Sequence, residues 1–413
     1  MPEVFERYFR DVGRRREDYL DLKKLDPFYK TYFSSDESVT VGPDLARTET
    51  LFESFEPGGG LKLRRYLGDS KYKYEVAMGQ FLYRDYRYLS DFFNLRLLLE
   101  GSRLHVFNSL DKVVRRYVRD RRARQILEYA MVFLGTRPRD APALYSIMSH
   151  IDMSLGVSYP SGGLAGVAKS MARLACDLGA RIHAGRPVTS IGVSRGRATG
   201  VVTGGSHRPA DIVVSAADYP HTELDLLPEG AGSLGESYWD SRVLAPSMFI
   251  AYLGVSKKLL SLEHHNLYFS ENWDEHFDTV FSSPSWPEKP CFYLSCTSKT
   301  DDEAAPAGSE NLFLLVPVAP GLEDTDEVRE RYFERLLDHV EHVTGESFRD
   351  AIEVKRLYSH RDFSGDYNAY KGTALGLAHT LGQTAIFRPP RRHRKIRNLY
   401  YTGQYTHPGV GSP

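Results

Sequence analysis

The feature that most limits the fold is a change of pattern near the middle of the chain. The first 150 residues have mainly helical periodicity, interrupted by a hairpin-like stretch at 26–41. From Val188 onwards short strand patterns follow one another, with one clear amphipathic helix between Asp324, its expected N-cap, and Gly345. Helices and strands are therefore segregated along the chain. This predicts an α+β fold and not a regular βαβ series.

The strand-rich half begins with a predicted three-stranded meander at 188–218, with turns at 195–197 and 204–205. Further strands are expected at 248–255, 266–270, 291–296 and 311–318. Before the meander, Ser161 is expected to cap a helix, and residues 180–185 to form another strand. The helix would bury an apolar stripe made up of Leu164, Val167, Ala168, Met171, Leu174 and Leu178.

The composition excludes several classes of protein. With 413 residues, 41% hydrophobic and 26% charged, the chain is long enough for two or three globular domains. Lysine and arginine number 53 against 54 aspartates and glutamates, so no net charge favours a nucleic-acid partner. The longest apolar run, 312–320, is half of the ~20 residues that a spanning helix needs, and the N-terminal residues have no signal-peptide pattern. We therefore expect a cytoplasmic protein, soluble or peripheral to the membrane.

Three kinds of pattern that mark functional sites in other proteins give only weak signals in this sequence. The stretch Gly230–Gly235 has GxGxxG spacing, but no buried strand precedes it and no acidic residue follows about 20 positions later, so we expect a loop. The three cysteines have neither disulfide nor metal-ligand spacing, and no metal site is predicted. The histidines are scattered, and the pairs expected at the surface are His264 with His265, and His339 with His342.

The last residues of the chain combine a strand with a glycine-rich turn. The strand, 398–401, leads to Gly403 and a segment of small and polar residues. Such glycines let the backbone approach a cofactor closely, with donors aimed at phosphate or carbonyl oxygens. An ordinary glycine–proline loop explains the pattern equally well, so the residues alone leave both interpretations open.

The terminal segment NLYYTGQYTHPGVGSP resembles the C-terminal flavin motif of the phytoene (carotenoid) desaturase family of FAD-dependent oxidoreductases. Three further stretches resemble that family in the same order, at 25–33, 157–191 and 210–218. Family members open with a strand–GxGxxG–helix unit for the ADP half of FAD and continue into a final helix. This sequence resembles a member without those two parts, which implies weak binding of FAD by the chain alone.

The resemblance implies a set of site residues. Val188 would begin the strand beside the adenine end of FAD. The residues that would bind the rest of the cofactor are Gly403, Gln404, Thr406, His407, Pro408, Gly409 and Gly411. Those that would line the junction of flavin and substrate are Tyr159, Pro160, Gly162 and Gly163. No side chain is assigned as a catalytic acid or base, because the flavin carries the chemistry.

The implied architecture is a two-domain FAD-linked oxidoreductase. An incomplete Rossmann-like FAD domain would comprise 156–222 and 384–413, and a sheet-and-helix substrate domain 1–155 and 223–383. The implied reaction is dehydrogenation of a carotenoid precursor such as phytoene, a hydrophobic polyene, with the electron acceptor left unassigned. The alternatives are an amine-oxidase-like or retinoid-saturase-like flavoenzyme, and a non-catalytic remnant that binds isoprenoid lipid.

Two segments mix basic and aromatic residues. They are Tyr83–Tyr88 and Lys112–Arg124, and the second contains seven lysines and arginines. One interpretation is a helix face exposed to water. The other is a helix that binds anionic headgroups, as a bilayer-soluble substrate would require of a peripheral membrane protein.

Overall fold

The computed structural model describes residues 2–81, 108–384 and 387–410. Within these ranges the α-helices are α1 (Pro2–Asp11), α2 (Leu45–Phe55), α3 (Gly59–Val76), α4 (Leu110–Tyr117), α5 (Arg121–Glu128), α6 (Ile147–His150), α7 (Gly163–Asp177), α8 (Tyr219–His221), α9 (Glu236–Asp240), α10 (Trp273–Phe281), α11 (Asp326–Thr344) and α12 (His360–Tyr367). None of the helices in the described ranges combines the length and the hydropathy needed to cross a bilayer.

The strands form one large sheet and three small ones. They are β1 (Leu22–Lys24), β2 (Tyr29–Tyr32), β3 (Ser38–Val41), β4 (Ser158–Pro160), β5 (Val188–Ser194), β6 (Arg197–Thr203), β7 (Ser206–Pro209), β8 (Val213–Ser215), β9 (Ser247–Val255), β10 (His265–Tyr268), β11 (Phe292–Ser295), β12 (Glu310–Val318), β13 (Ile352–Tyr358) and β14 (Leu399–Tyr401). The large sheet has the order β13-β9-β12-β11-β10-β2-β3, in which only β10 and β2 pair in parallel. The small sheets are β1-β4, β14-β8 and β5-β6-β7.

The two faces of the large sheet differ in what covers them. Side chains alternate between faces along a strand, so Phe249 and Leu253 of β9 and Leu314 of β12 point to the same side. There they pack against α11, which contributes Phe333 and Leu337 to the same core. The opposite face carries more partly exposed rings and lies beside a second core, formed with α2 to α5.

The terminal strand and the meander belong to separate sheets that share a third core. β14 pairs in parallel with β8, and the meander β5-β6-β7 is antiparallel. The buried amide of Asn398 joins them, because it accepts from the Ala198 N–H at 2.8 Å and donates to the carbonyls of Ala198 and Asp211 at 2.9 and 2.6 Å. Ile191 and Leu399 lie in this common core.

Several sequence predictions are confirmed. The hairpin at 26–41 forms from β2 and β3, and the meander turns at the predicted positions. The GxGxxG stretch is a loop in which the N–H groups of Ser233 and Leu234 donate to the buried carboxylate of Glu223 at 2.6 and 3.0 Å. An α+β fold is also confirmed.

Other local predictions are wrong. Ser161 does not cap α7, because its hydroxyl donates to Asp21 and the N-cap is Gly162. Of the expected buried stripe only Leu174 is buried, and Leu164 is 82% exposed. Residues 180–185 form no strand. Helix α11 is capped by Thr325, since the Asp324 carboxylate is bound by Arg329 at 2.6 Å.

Candidate functional site

The glycine-rich turn after β14 is closed by its own backbone. Gly403 has φ of 114°, a conformation that favours glycine. The N–H and the hydroxyl of Thr406 both donate to the Gly403 carbonyl, at 3.1 and 3.0 Å. Apart from the two neighbouring residues in the chain, no heavy atom of the described residues lies within 4 Å of the position that a Cβ of Gly403 would occupy. This side of the turn is therefore open to a ligand.

A buried arginine supports the turn from behind. Arg388 is only 5% exposed, and its guanidinium donates to the carbonyls of Gln404 at 2.8 Å and Leu377 at 3.1 Å. Among the residues that the structure describes, its Nε has no hydrogen-bond partner, and burial lowers the pKa of the guanidinium to about 10. Within the described ranges no carboxylate pairs with this cation, so an anionic or carbonyl-bearing ligand would stabilise it.

Two contacts of His379 hold the end of the turn. The Val410 N–H donates to His379 Nε2 at 3.2 Å, which places the ring proton on Nδ1, the atom that contacts the Tyr145 hydroxyl. Tyr145 in turn bonds to Thr384 at 3.0 Å. Burial, with Arg388 nearby, lowers the pKa of His379 to about 3, so the ring is neutral at physiological pH. Gly409 is required there, because a Cβ would lie 2.3 Å from the His379 ring.

The remaining cofactor candidates do not all lie in the same turn. His407 and Pro408 continue the same turn and are joined by a cis peptide bond. Val188 starts β5 opposite Thr203 and is 38% exposed, and the contact between meander and terminal segment runs through Asn398 instead. Gly411 lies outside the described residues.

The predicted junction residues gather around Asp301. The Tyr159 hydroxyl and the Gly162 N–H both donate to Asp301 Oδ2, at 2.9 and 3.2 Å, and these bonds hold the pKa of the carboxyl below its usual range. Gly163 follows as the first residue of α7, with its Cβ position 3.5 Å from the Tyr159 hydroxyl. Pro160 ends β4, which pairs with β1. The four residues therefore lie together beside Asp301, a residue that the sequence interpretation missed.

A histidine that was expected at the surface also belongs to this group. His264 is buried against the Tyr159 ring, with 4.8 Å between centroids, and burial lowers its pKa to about 4. His339 is likewise half-buried against Tyr268, whereas His342 is exposed as expected. His265 is half-buried too, with its Nδ1 bonded to the Tyr293 hydroxyl at 2.6 Å. The prediction of surface positions is therefore wrong for His264, His265 and His339.

An apolar cavity of about 40 Å³ lies at one end of the large sheet, between its strands and α10. The residues that line it are Tyr129, Thr136, Pro246, Leu267, Tyr268, Phe269, Trp273, His276, Phe277, Val280, Phe281, Cys291, Phe292, Tyr293, Leu315 and Pro317. From Tyr293 the aromatic surface continues across the sheet to Phe313 and then to Tyr252, with centroid separations of 6.1 and 5.4 Å. We call this cavity and its continuation the aromatic face.

The family model described as flavin containing amine oxidoreductase matches residues 8–412. The chain belongs to this family. Within the family it is 41% identical over 415 residues to the carotenoid 3,4-desaturase of Haloarcula japonica. This alignment covers all of this chain and 84% of that protein. It is 32% identical over 421 residues to the zeta-carotene-forming phytoene desaturase of Myxococcus xanthus, which spans all of this chain and 80% of that protein.

Two solved structures of low identity show the same fold. An oxidoreductase from Methanosarcina mazei matches with a TM-score of 0.58 at 13% identity, covering 98% of this chain and 79% of that one. Putrescine oxidase with bound putrescine matches with a TM-score of 0.53 at 12% identity, covering 95% and 78%. Together with the family match they confirm the predicted fold of a flavin-linked oxidoreductase.

The residues of this flavin oxidoreductase fit the cofactor of the family. A flavin carries carbonyl groups on its ring and phosphate on its tail. The open side of Gly403 permits close approach of such a group, and the unpartnered Nε of Arg388 is a buried donor beneath the same turn. The donor set therefore suits an electron-rich, partly anionic ligand. Tyr145, His379 and Arg388 escaped the sequence interpretation because no motif spacing marks them.

Proposed function

We propose that the chain is an FAD-dependent desaturase that introduces double bonds into a carotenoid-type polyene precursor such as phytoene. The observation that carries the proposal is the aromatic face. A polyene is long, apolar and without charge, and the row of edge-to-face rings formed by Tyr252, Phe313 and Tyr293 offers it contact along its length. Two relatives that match the whole chain bear the names of carotenoid and phytoene desaturases, which supports the same substrate class.

In this proposal FAD supplies, when bound, the acceptor for a hydride taken from the substrate. The chain positions the reactants. Gly403, Gln404, Thr406 and the following turn residues would hold the cofactor, with Arg388 as the buried donor behind them. Tyr159 and its neighbours would line the junction with the substrate, held by Asp301. The aromatic face would exclude water and orient the polyene.

We also propose the predicted domain division. The segments 156–222 and 384–413 would form the FAD domain, and 1–155 and 223–383 the substrate domain. The shared core of Ile191 and Leu399 and the hydrogen bonds of Asn398 support the first grouping. The large sheet with α11 forms its own core, which supports the second.

We further propose that the protein acts at the membrane surface, where such a polyene resides. Tyr83–Tyr88 lies outside the described residues. In α4 and the turn after it Lys112, Arg116 and Arg119 are exposed, whereas Arg115 and Arg122 bind Asp111 and Asp120 within hydrogen-bond distance. The exposed cations are available to anionic headgroups. The paired arginines are neutralised by their own carboxylates, so replacing them should affect membrane binding less.

The experiment is conversion of an acyclic polyene by the FAD-supplied protein. Pigments extracted from a colourless host that makes phytoene are expected to absorb at longer wavelength when the chain is expressed. Leu315→Gln, which places an amide in the aromatic cavity, should abolish conversion. Val354→Gln, at an exposed position of β13, should not. Oxidation of amines with the polyene left unchanged would favour the amine-oxidase alternative and contradict the proposal.

A further inference from the structure

A buried carboxyl group lies directly behind the wall of the aromatic cavity. Asp152 belongs to the π-helical turn Ile151–Leu155, which precedes β4, and it is 9% exposed. The hydroxyls of Tyr29 and Tyr129 both donate to its Oδ2, each at 2.9 Å. Within the described ranges no hydrogen bond to Oδ1 is found. A buried carboxyl normally uses its hydrogen-bonding capacity, so this one retains an unused position.

Tyr129 connects this carboxyl to the cavity. It lines the cavity, and its ring packs against those of Tyr29 and Phe269, with centroid separations of 5.3 and 5.9 Å. Its hydroxyl is the donor to Asp152. The carboxyl is therefore one hydrogen bond away from a residue that a polyene in the cavity would contact.

Desaturation needs an acceptor for a proton in this apolar surrounding. Two hydrogens leave neighbouring carbons. One leaves with its electron pair as a hydride, for which bound FAD would supply the acceptor, and the other leaves as a proton. Among the described residues the lining of the cavity contains no carboxylate, and both ring nitrogens of its histidine, His276, are already bonded, Nε2 to the Pro317 carbonyl at 2.8 Å and Nδ1 to the Cys291 N–H at 3.0 Å. A base must therefore reach the substrate through the wall.

Resting on the proposed function, we propose that Tyr129 and Asp152 form the proton-accepting pair of the reaction. Tyr129 takes the proton from the substrate carbon while its own hydroxyl proton passes to the Asp152 carboxylate. The electron pair of the broken C–H bond becomes the second bond of the new double bond. Tyr129 is then a catalytic residue, and Asp152 and Tyr29 are positioning residues that act through it.

The electrostatics of the pair suit this role. Burial raises the pKa of Asp152 to about 7, although the hydrogen bonds from Tyr129 and Tyr29 oppose the increase. The carboxylate form predominates above that pH and can accept a proton. Below it the position is already occupied, so turnover should fall as the pH decreases through about 7.

Other titratable groups on the elements packed around the pair have hydrogen bonds or ring contacts of their own. They are Lys73, Tyr66, His150, His265, His276 and Tyr293. Glu128 directly precedes Tyr129 in the chain, and burial raises its pKa to about 8. Burial lowers the pKa of His265 to about 3 and that of His150 below its usual value, so both rings are neutral in the relevant range. Burial also lowers the pKa of Lys73, to about 8, but its ammonium bonds to Ser146.

The test uses the FAD-loaded full chain with the polyene in liposomes. Asp152→Asn and Tyr129→Phe should each reduce turnover by about 100-fold or more, the usual contribution of a general base, with polyene and flavin binding retained. Tyr29→Phe should retain turnover but move the acidic limb of the pH profile upward by about one unit, because the carboxylate loses one hydrogen bond.

Two matched variants serve as controls. Glu128→Gln neutralises another buried carboxyl, with a pKa of about 8, that lines a separate polar cleft. Tyr66→Phe removes a buried hydroxyl that contacts Ser149 and no carboxylate. Both should leave the pH profile unchanged.

Infrared difference spectra of the flavin-free protein provide a readout apart from activity. The protonated-carboxyl band should lose its component near pH 7 in Asp152→Asn and keep that component in the wild type and in Glu128→Gln, whereas Glu128→Gln should lose only the component near pH 8. The component near pH 6 from Asp218 should be the same in all three proteins. Two results would overturn the proposed proton-accepting pair, provided that the wild type converts the polyene. One is an acidic limb of the pH profile that does not move in Tyr29→Phe, and the other is undiminished turnover in Asp152→Asn. Absence of conversion by the wild type would instead contradict the proposed function, and the role of the pair with it.

Discussion

The amide of Asn398 is the contact whose loss should most clearly separate the terminal strand from the meander. Asn398→Ala removes three hydrogen bonds, to the Ala198 N–H and to the carbonyls of Ala198 and Asp211. A net hydrogen bond contributes about 1 kcal/mol, and a buried group left without a partner costs about 1–3 kcal/mol. We therefore expect the free energy of unfolding of this core to decrease by about 3 kcal/mol.

Asn398→Asp should be at least as destabilising as Asn398→Ala. The carboxylate would still accept from the Ala198 N–H but would place an oxygen against two carbonyl oxygens. The assay is denaturant unfolding followed by Trp239 fluorescence, since Trp239 is fully buried in the same core. Replacing Trp273 and Trp286 by phenylalanine leaves it as the only tryptophan of the chain.

The matched control is Asn272→Ala, an exposed asparagine at the start of α10, which should change the unfolding free energy by about 0.5 kcal/mol or less. A decrease for Asn398→Ala as small as that of the control would show that these three hydrogen bonds do not hold the terminal strand to the meander. A milder effect for Asn398→Asp than for Asn398→Ala would refute the assigned donor and acceptor roles.

Three further predictions concern the cofactor turn and the membrane. Arg388→Met should weaken FAD binding in a fluorescence titration, because a buried donor beneath Gln404 is lost; unchanged affinity would remove Arg388 from the site. Gly409→Ala should lower the melting temperature, since its Cβ would lie 2.3 Å from the His379 ring, whereas Gly382→Ala, with open space around it, should not; equal effects would contradict the packing. Replacing Lys112, Arg116 and Arg119 by glutamine should reduce binding to anionic liposomes by roughly 1 kcal/mol per residue, and added salt should do the same to the wild type. Equal binding to neutral and anionic vesicles at all salt concentrations would favour a helix face that is merely hydrated.

Local pattern was enough to predict much of the secondary structure. Turn residues and the alternation of apolar and polar side chains act over a few positions only. They were enough to predict the hairpin of β2 and β3, the meander, and the end of α11 at Gly345. Helix α7 shows the limit of such reasoning. Its apolar periodicity was correct, but periodicity does not say whether a partner surface is present, and Leu164 is exposed.

The candidate site was predictable only where a motif marked it. The terminal turn and the Tyr159–Gly163 group were found through resemblance. Tyr145 and His379, in contrast, meet across 234 positions of sequence, and Tyr29 and Asp152 across 123. Contacts at such separation are determined by the tertiary fold, and no local spacing indicates them.

The proposed function requires that hydride pass from a carotenoid precursor to FAD bound by this chain. The most direct test is an anaerobic titration of the FAD-loaded protein with phytoene in liposomes, followed by absorption spectroscopy. We expect the absorption band of the oxidised flavin to bleach in proportion to the appearance of a more conjugated polyene. A flavin that stays oxidised in the presence of bound phytoene, or that is bleached only by an amine, would contradict it.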